Sequence, residues 1–136
     1  LSFFLVIGLE TTSKKITFSD IDENTLTPDQ NNNLDFFNLK TKIIIKDIKD
    51  LVVISFVNHL KLRKFVNAIN KELENMVNIT VLDGQNIVEN YIKHIIMSEN
   101  IVILGQKNYS DRKLFNRVKN ICKELNKNVI NTFIID

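Results

Sequence analysis

Leu51–Val57 reads LVVISFV, a continuous apolar run rich in β-branched residues and flanked by Asp50 and Asn58. Side chains of this kind pack well on a pleated surface, and a run without alternation is expected of a strand covered on both faces. The period then changes. Leu62, Phe65, Val66, Ile69, Leu73 and Met76 recur at spacings of three and four, the stripe of an amphipathic helix. The same alternation recurs downstream. Ile79–Leu82 precedes a stripe of Ile87, Val88, Tyr91, Ile92, Ile95 and Ile96, and Ile101–Leu104 precedes Leu114, Phe115, Val118, Ile121, Cys122 and Leu125. Val129–Ile135 is the fourth apolar run. Strand–helix–strand units joined by right-handed crossovers form an open, mainly parallel sheet with helices on both faces. Residues 50–136 therefore predict an α/β core.

Residues 1–49 have a different character and are expected to pack on the same domain as a β-rich extension. Leu1–Gly8 and Lys15–Phe18 read as short strands around a turn at 10–14. Leu1–Leu9 lacks a basic leading region and a small-residue cleavage signal, and is too short to span a bilayer, so a core strand is the expectation. Ser19–Asn33 is polar, contains Pro28 and ends in three asparagines, which predicts a loop. Ile43-Ile44-Ile45 reads as a strand from its β-branched run.

At 136 residues the chain is long enough for one domain with one sizeable core. The formal net charge is +2, but Lys107–Lys127 carries seven basic and two acidic residues. That is a basic helix face rather than a basic protein, so nucleic acid is a weaker expectation than a protein partner. Cys122 is the sole cysteine and falls on an apolar stripe, which predicts a buried thiol, no disulfide and a reducing, cytoplasmic setting. The 19 asparagines scatter through every element and read as compositional bias.

In a parallel sheet of this kind, ligands bind beyond the carboxyl ends of the strands. The candidate ligand-binding residues there are Ser55, Asn58, His59, Asp83, Gln85, Gln106, Asn108 and Ser110, with Tyr109 among them. Were the chain an enzyme, proton transfer would fall to Asp83, Asp111 or His59. Ser110 or Asp111 is also the expected cap of the last helix. Gly8, Gly84 and Gly105 never cluster, which excludes the glycine-rich phosphate loops. Asp20–Asn24 opens like a calcium loop but lacks the required glycine and closing glutamate. His59 and His94 have no acidic neighbours at ligand spacing, so neither a metal nor another cofactor is expected. No acidic pair follows Leu51–Val57, which excludes a phosphoryl-accepting receiver domain.

Val53-Ile54-Ser55-Phe56 on the first strand, and Phe65-Val66 with Lys71-Glu72-Leu73 on the first helix, form an ordered set of short motifs. Leu82-Asp83-Gly84 opens the next loop, and SENIVIL at 98–104 is followed by Asn108-Tyr109-Ser110. Over roughly residues 51–111 this order resembles the Toll/interleukin-1 receptor (TIR) domain and its bacterial relatives. The resemblance implies a flavodoxin-like sheet, with Leu1–Gly8 or Lys42–Ile48 substituting for a final strand. It also implies that an enzymatic member would cleave the nicotinamide–ribose bond of NAD through a glutamate in the helix after the third strand. Phe115, Asn116, Arg117 and Val118 occupy that neighbourhood, Glu124 comes two turns later, and the motif's tryptophan is absent. The expected function is thus a non-catalytic protein-interaction or ligand-sensing domain, with a protein partner or a second copy as its first expected ligand and a nucleotide as its second. The alternative is a nucleotide- or nucleoside-processing hydrolase using the strand-end cleft.

Overall fold

The computed structural model describes residues 25–26, 34–85 and 89–136. They form β1 (Thr25–Leu26), α1 (Leu34–Ile45), β2 (Asp50–Ser55), α2 (His59–Leu73), β3 (Asn78–Asp83), α3 (Glu89–Met97), β4 (Asn100–Gln106), α4 (Arg112–Glu124) and β5 (Asn128–Ile135). The strands lie in the order β1-β5-β4-β2-β3, and every pair is parallel. The four expected apolar runs are thus adjacent strands of one sheet.

Two cores divide the sheet into layers. Phe36, Leu39 and Ile43 of α1 join Phe65, Ile69 and Leu73 of α2 against Leu51, Val53, Val102 and Phe133. On the opposite face, Ile95 of α3 and Phe115, Val118 and Cys122 of α4 cover Ile54, Ile101, Ile103 and Ile134. Residues 101–106 of β4 are all buried. This follows from its central place and matches its unalternating apolar sequence. Burial pushes the Cys122 thiol up to about 11, opposed in part by the charge of Lys127, which leaves it protonated and inert at neutral pH.

The N-terminal part departs from expectation. Ile43-Ile44-Ile45 is not a strand but the last turn of α1, so Lys42–Ile48 does not substitute for a strand of the sheet. Spacing decides against β-propensity here. Phe36, Leu39 and Ile43 fall on one helical face and are buried, whereas Ile44 and Ile45 are 56% and 76% exposed. The Lys42 ammonium donates to the carbonyl of Ile130 at 2.9 Å, tying α1 to β5. Thr25–Leu26, within the expected loop, pairs with Thr132–Phe133 as an edge strand. Leu1–Gly8 and Lys15–Phe18 lie outside the described residues.

Asparagine does more than reflect composition. Asn75, Asn108 and Asn126 take positive φ at turns, a conformation whose cost a short polar side chain lowers. Asn58 caps α2 by accepting from the Lys61 N–H at 3.0 Å.

Candidate functional site

β3 lies to one side of β2 while β5 lies beyond β4, so the connections from β2 and β4 diverge and their carboxyl ends bound the usual ligand crevice. In this chain polar side chains close that crevice. Ser110 is fully buried, and its hydroxyl donates to the carbonyl of Phe56 at 2.6 Å while accepting from the Gln106 N–H at 2.7 Å. The Gln106 side-chain carbonyl accepts from the Asn58 N–H at 3.1 Å. Gln85 reaches across as well, accepting from the Asp111 N–H at 3.2 Å. Asp111 caps α4 as expected, accepting from the Lys113 and Leu114 N–H groups at 2.9 and 3.2 Å. Ser55 is buried and accepts from the Val57 N–H at 3.3 Å. These residues lock the loops after β2, β3 and β4 to one another.

Four of the eight ligand candidates converge elsewhere. Ser55, His59, Asp83 and Gln85 line a recess of about 330 Å³ together with Tyr109, Val57, Leu62 and Val81. The recess opens beside the ends of β2 and β3, on the α2 side of the sheet, because Asp83 is the register partner of Ser55 and Val81 that of Val53. Val57, Leu62 and Val81 give it an apolar part beside the polar Ser55, His59, Asp83 and Gln85, a mixture that small-molecule pockets use. Asp83 also accepts from the Gln85 N–H at 3.0 Å, closing a tight turn at the recess. Asn108, at φ 58°, is exposed and turns the chain so that Tyr109 follows it to the recess.

Asn58, Gln106, Asn108, Ser110 and Asp111 do not line the recess. Its apolar part escaped a reading that selected only polar loop residues. A second feature also did: the Lys61 ammonium donates to the backbone carbonyl of Asp136, and the Lys107 ammonium pairs with the Asp136 carboxylate at 3.1 Å. Lysine at 61 and 107 carried no signal of that meeting, since the register of β4 and β5 brings Lys107 to the end of β5 and the packing of α2 brings Lys61 there. Asn116 and Arg117, at the position the TIR resemblance gives to a glutamate, are both exposed, between the buried Phe115 and Val118. Among the described residues no cluster of three or more potential metal ligands forms. None of their helices is long and apolar enough to cross a membrane.

Replacing Ser110 with alanine is expected to cost about 1–3 kcal/mol, because it strands a buried N–H and a buried carbonyl together. Urea denaturation followed by circular dichroism reads this as a lower midpoint at unchanged slope.

Compared with protein families, curated proteins and solved structures, the chain matches none.

Proposed function

We propose that this is a non-catalytic binding domain of TIR-like type, in which a rigid parallel sheet presents a small recess and its neighbouring surface to a ligand or protein partner. One observation carries the reading: Gln85, Gln106 and Ser110, three of the polar side chains at the strand ends, are spent on hydrogen bonds that tie the loops together. Of the groups named for proton transfer, Asp111 is taken up by the cap of α4. A frame of this kind is instead suited to holding a recess in one shape, and so to lowering the ordering cost of binding. A recess of about 330 Å³ is at the lower end of the size for small ligands. It would take a nucleoside or the base end of a nucleotide, with Tyr109 as a stacking surface.

The runner-up, a nucleotide- or nucleoside-processing hydrolase, keeps one supporting observation. His59 and Asp83 share the recess, although Asp111 is committed to capping α4.

An amide NMR titration with NAD, adenosine and adenosine monophosphate separates the two. Fast-exchange shifts are expected around His59, Asp83 and Tyr109, reduced on Tyr109→Ala, with no nicotinamide or free base detected by chromatography after prolonged incubation. Product release that disappears on His59→Ala or Asp83→Asn would establish the hydrolase instead. The same titration with a short oligonucleotide tests the basic face of α4. Shifts confined to Lys113, Arg117 and Lys123, fading steeply as salt rises, would mark phosphate binding there.

A further inference from the structure

Among the described residues one side of the β3 backbone is open, and the side chains at its centre are complementary to themselves. Asn78 donates its N–H to Lys49 at 2.9 Å and Gly84 to Ser55 at 2.6 Å, both on the β2 side. Backbone direction alternates along a parallel ladder, so Asn78, Thr80 and Leu82 turn to β2, while the N–H and C=O groups of Ile79 and Val81 point outward. Among the described residues no strand pairs with that side, and no backbone bond from a turn or loop reaches those groups. Natural edges are normally blunted by Pro, Lys or a bulge. Asn78–Asp83 reads NITVLD and pairs with β2 over six residues without a register shift. Thr80 is exposed, and Val81 is 38% exposed.

We infer that β3 pairs antiparallel with β3 of a second copy of this chain, about a two-fold axis through Thr80, so that two parallel sheets become one continuous sheet. The inference rests on the binding-domain reading and names one partner. An antiparallel two-fold normal to the sheet keeps each face on its own side, so a residue must lie on the axis. With Thr80 there, Ile79 of each copy stands opposite Val81 of the other, and their outward backbone groups exchange both hydrogen bonds. The side chains then match as apolar pairs on the α2 face. Thr80 meets Thr80 on the other face, in the closer, non-hydrogen-bonded kind of pair, which favours threonine. Moving the axis to Val81 would set Ile79 against the Asp83 carboxylate. The Thr80 register keeps Ile79 and Val81 paired with each other, moves Asp83 to the strand ends opposite Val77, and puts no like charges opposite each other. A strand pair alone buries less than the roughly 800 Å² per partner of a stable interface. Met97, 84% exposed and lining a cavity with Thr80, and Met76, 41% exposed just ahead of β3, lie where they would extend it. The expected dimer is therefore reversible and concentration-dependent.

Sedimentation of the full chain tests it. The wild type should pass from 15.8 kDa toward twice that mass as concentration rises. Thr80→Lys and Thr80→Glu should each remain monomeric, since each sets like charges together on the axis, and an equimolar mixture of the two should dimerise again. Val81→Pro removes an outward N–H and should be monomeric with a retained circular dichroism spectrum, since proline is tolerated on that side of an edge strand. Three results would overturn the proposal. They are a wild type monomeric up to its solubility limit, a dimer indifferent to Thr80→Lys, and a monomer whose Ile79 and Val81 amides exchange slowly because the chain covers its own edge. Thr80 lies on the opposite face of the sheet from the recess, so nucleotide titration of the Thr80 variants scores the binding-domain reading separately.

Discussion

Ile103→Asp is expected to yield a chain with no cooperative unfolding transition and a collapsed amide NMR spectrum. Ile103 is fully buried at the middle of β4, between Ile54 of β2 and Thr132 of β5. It belongs to the core formed with Phe56, Ile95, Phe115 and Val118. An aspartate there loses the burial of an isoleucine, about 1.5–3 kcal/mol, and brings in a carboxylate with only apolar side chains in its cluster. Desolvating an unpaired ion costs several kcal/mol more, even after relaxation. Domains of this size are stable by only about 5–15 kcal/mol, so the two losses together consume most or all of the margin. Ile103→Val, which removes one methyl, should cost only about 0.5–1.5 kcal/mol. A cooperative melt for the aspartate variant at near wild-type stability would mean that β4 is not the central strand.

Where the chain repeats its unit, sequence and structure agree because periodicity alone determines the answer. LVVISFV has no alternation to permit an exposed face, and Phe65, Ile69 and Leu73 form one stripe whatever they pack against. Ile43–Ile45 shows the limit of that logic. A three-residue β-branched run is too short to set a period, and Phe36 and Leu39, two turns and one turn earlier, decide its conformation. The edge of the sheet was legible as a location but not in its detail. Loop polarity marked Ser55, His59, Asp83 and Gln85, which converge, and equally Gln106 and Ser110, which turn inward to bond the backbone. A hydroxyl that binds a ligand and one that satisfies a buried carbonyl look alike in sequence. Only the spacing of strand ends, set by register, separates them.

Gly84→Ala is expected to destabilise the chain by about 1–3 kcal/mol and to disturb the recess, although it adds one methyl group at a backbone conformation without positive φ. A Cβ at Gly84 would lie 2.4 Å from Phe56 Cζ and 2.6 Å from its two Cε atoms, far inside van der Waals contact. Phe56 has little room to retreat. Its ring is fully buried and packs edge-on to Phe115 at 5.3 Å. Its backbone is held on both sides, with its N–H donating to Leu104 at 2.8 Å and its carbonyl accepting from the Ser110 hydroxyl. Alanine would gain about 0.4–1 kcal/mol by narrowing the unfolded ensemble, which is smaller than the cost of overpacking. The strain should instead lift the turn carrying Asp83 and Gln85, shifting their amide resonances and weakening any ligand bound beside Tyr109. Phe56→Leu removes the atoms that collide. The double variant Gly84→Ala/Phe56→Leu should therefore be more stable than the sum of the two single losses predicts, by 1 kcal/mol or more on a roughly 0.5–3 kcal/mol scale for contacting residues. Strict additivity in that cycle would place the origin of the loss elsewhere in the turn and detach the shape of the recess from the Phe56 ring.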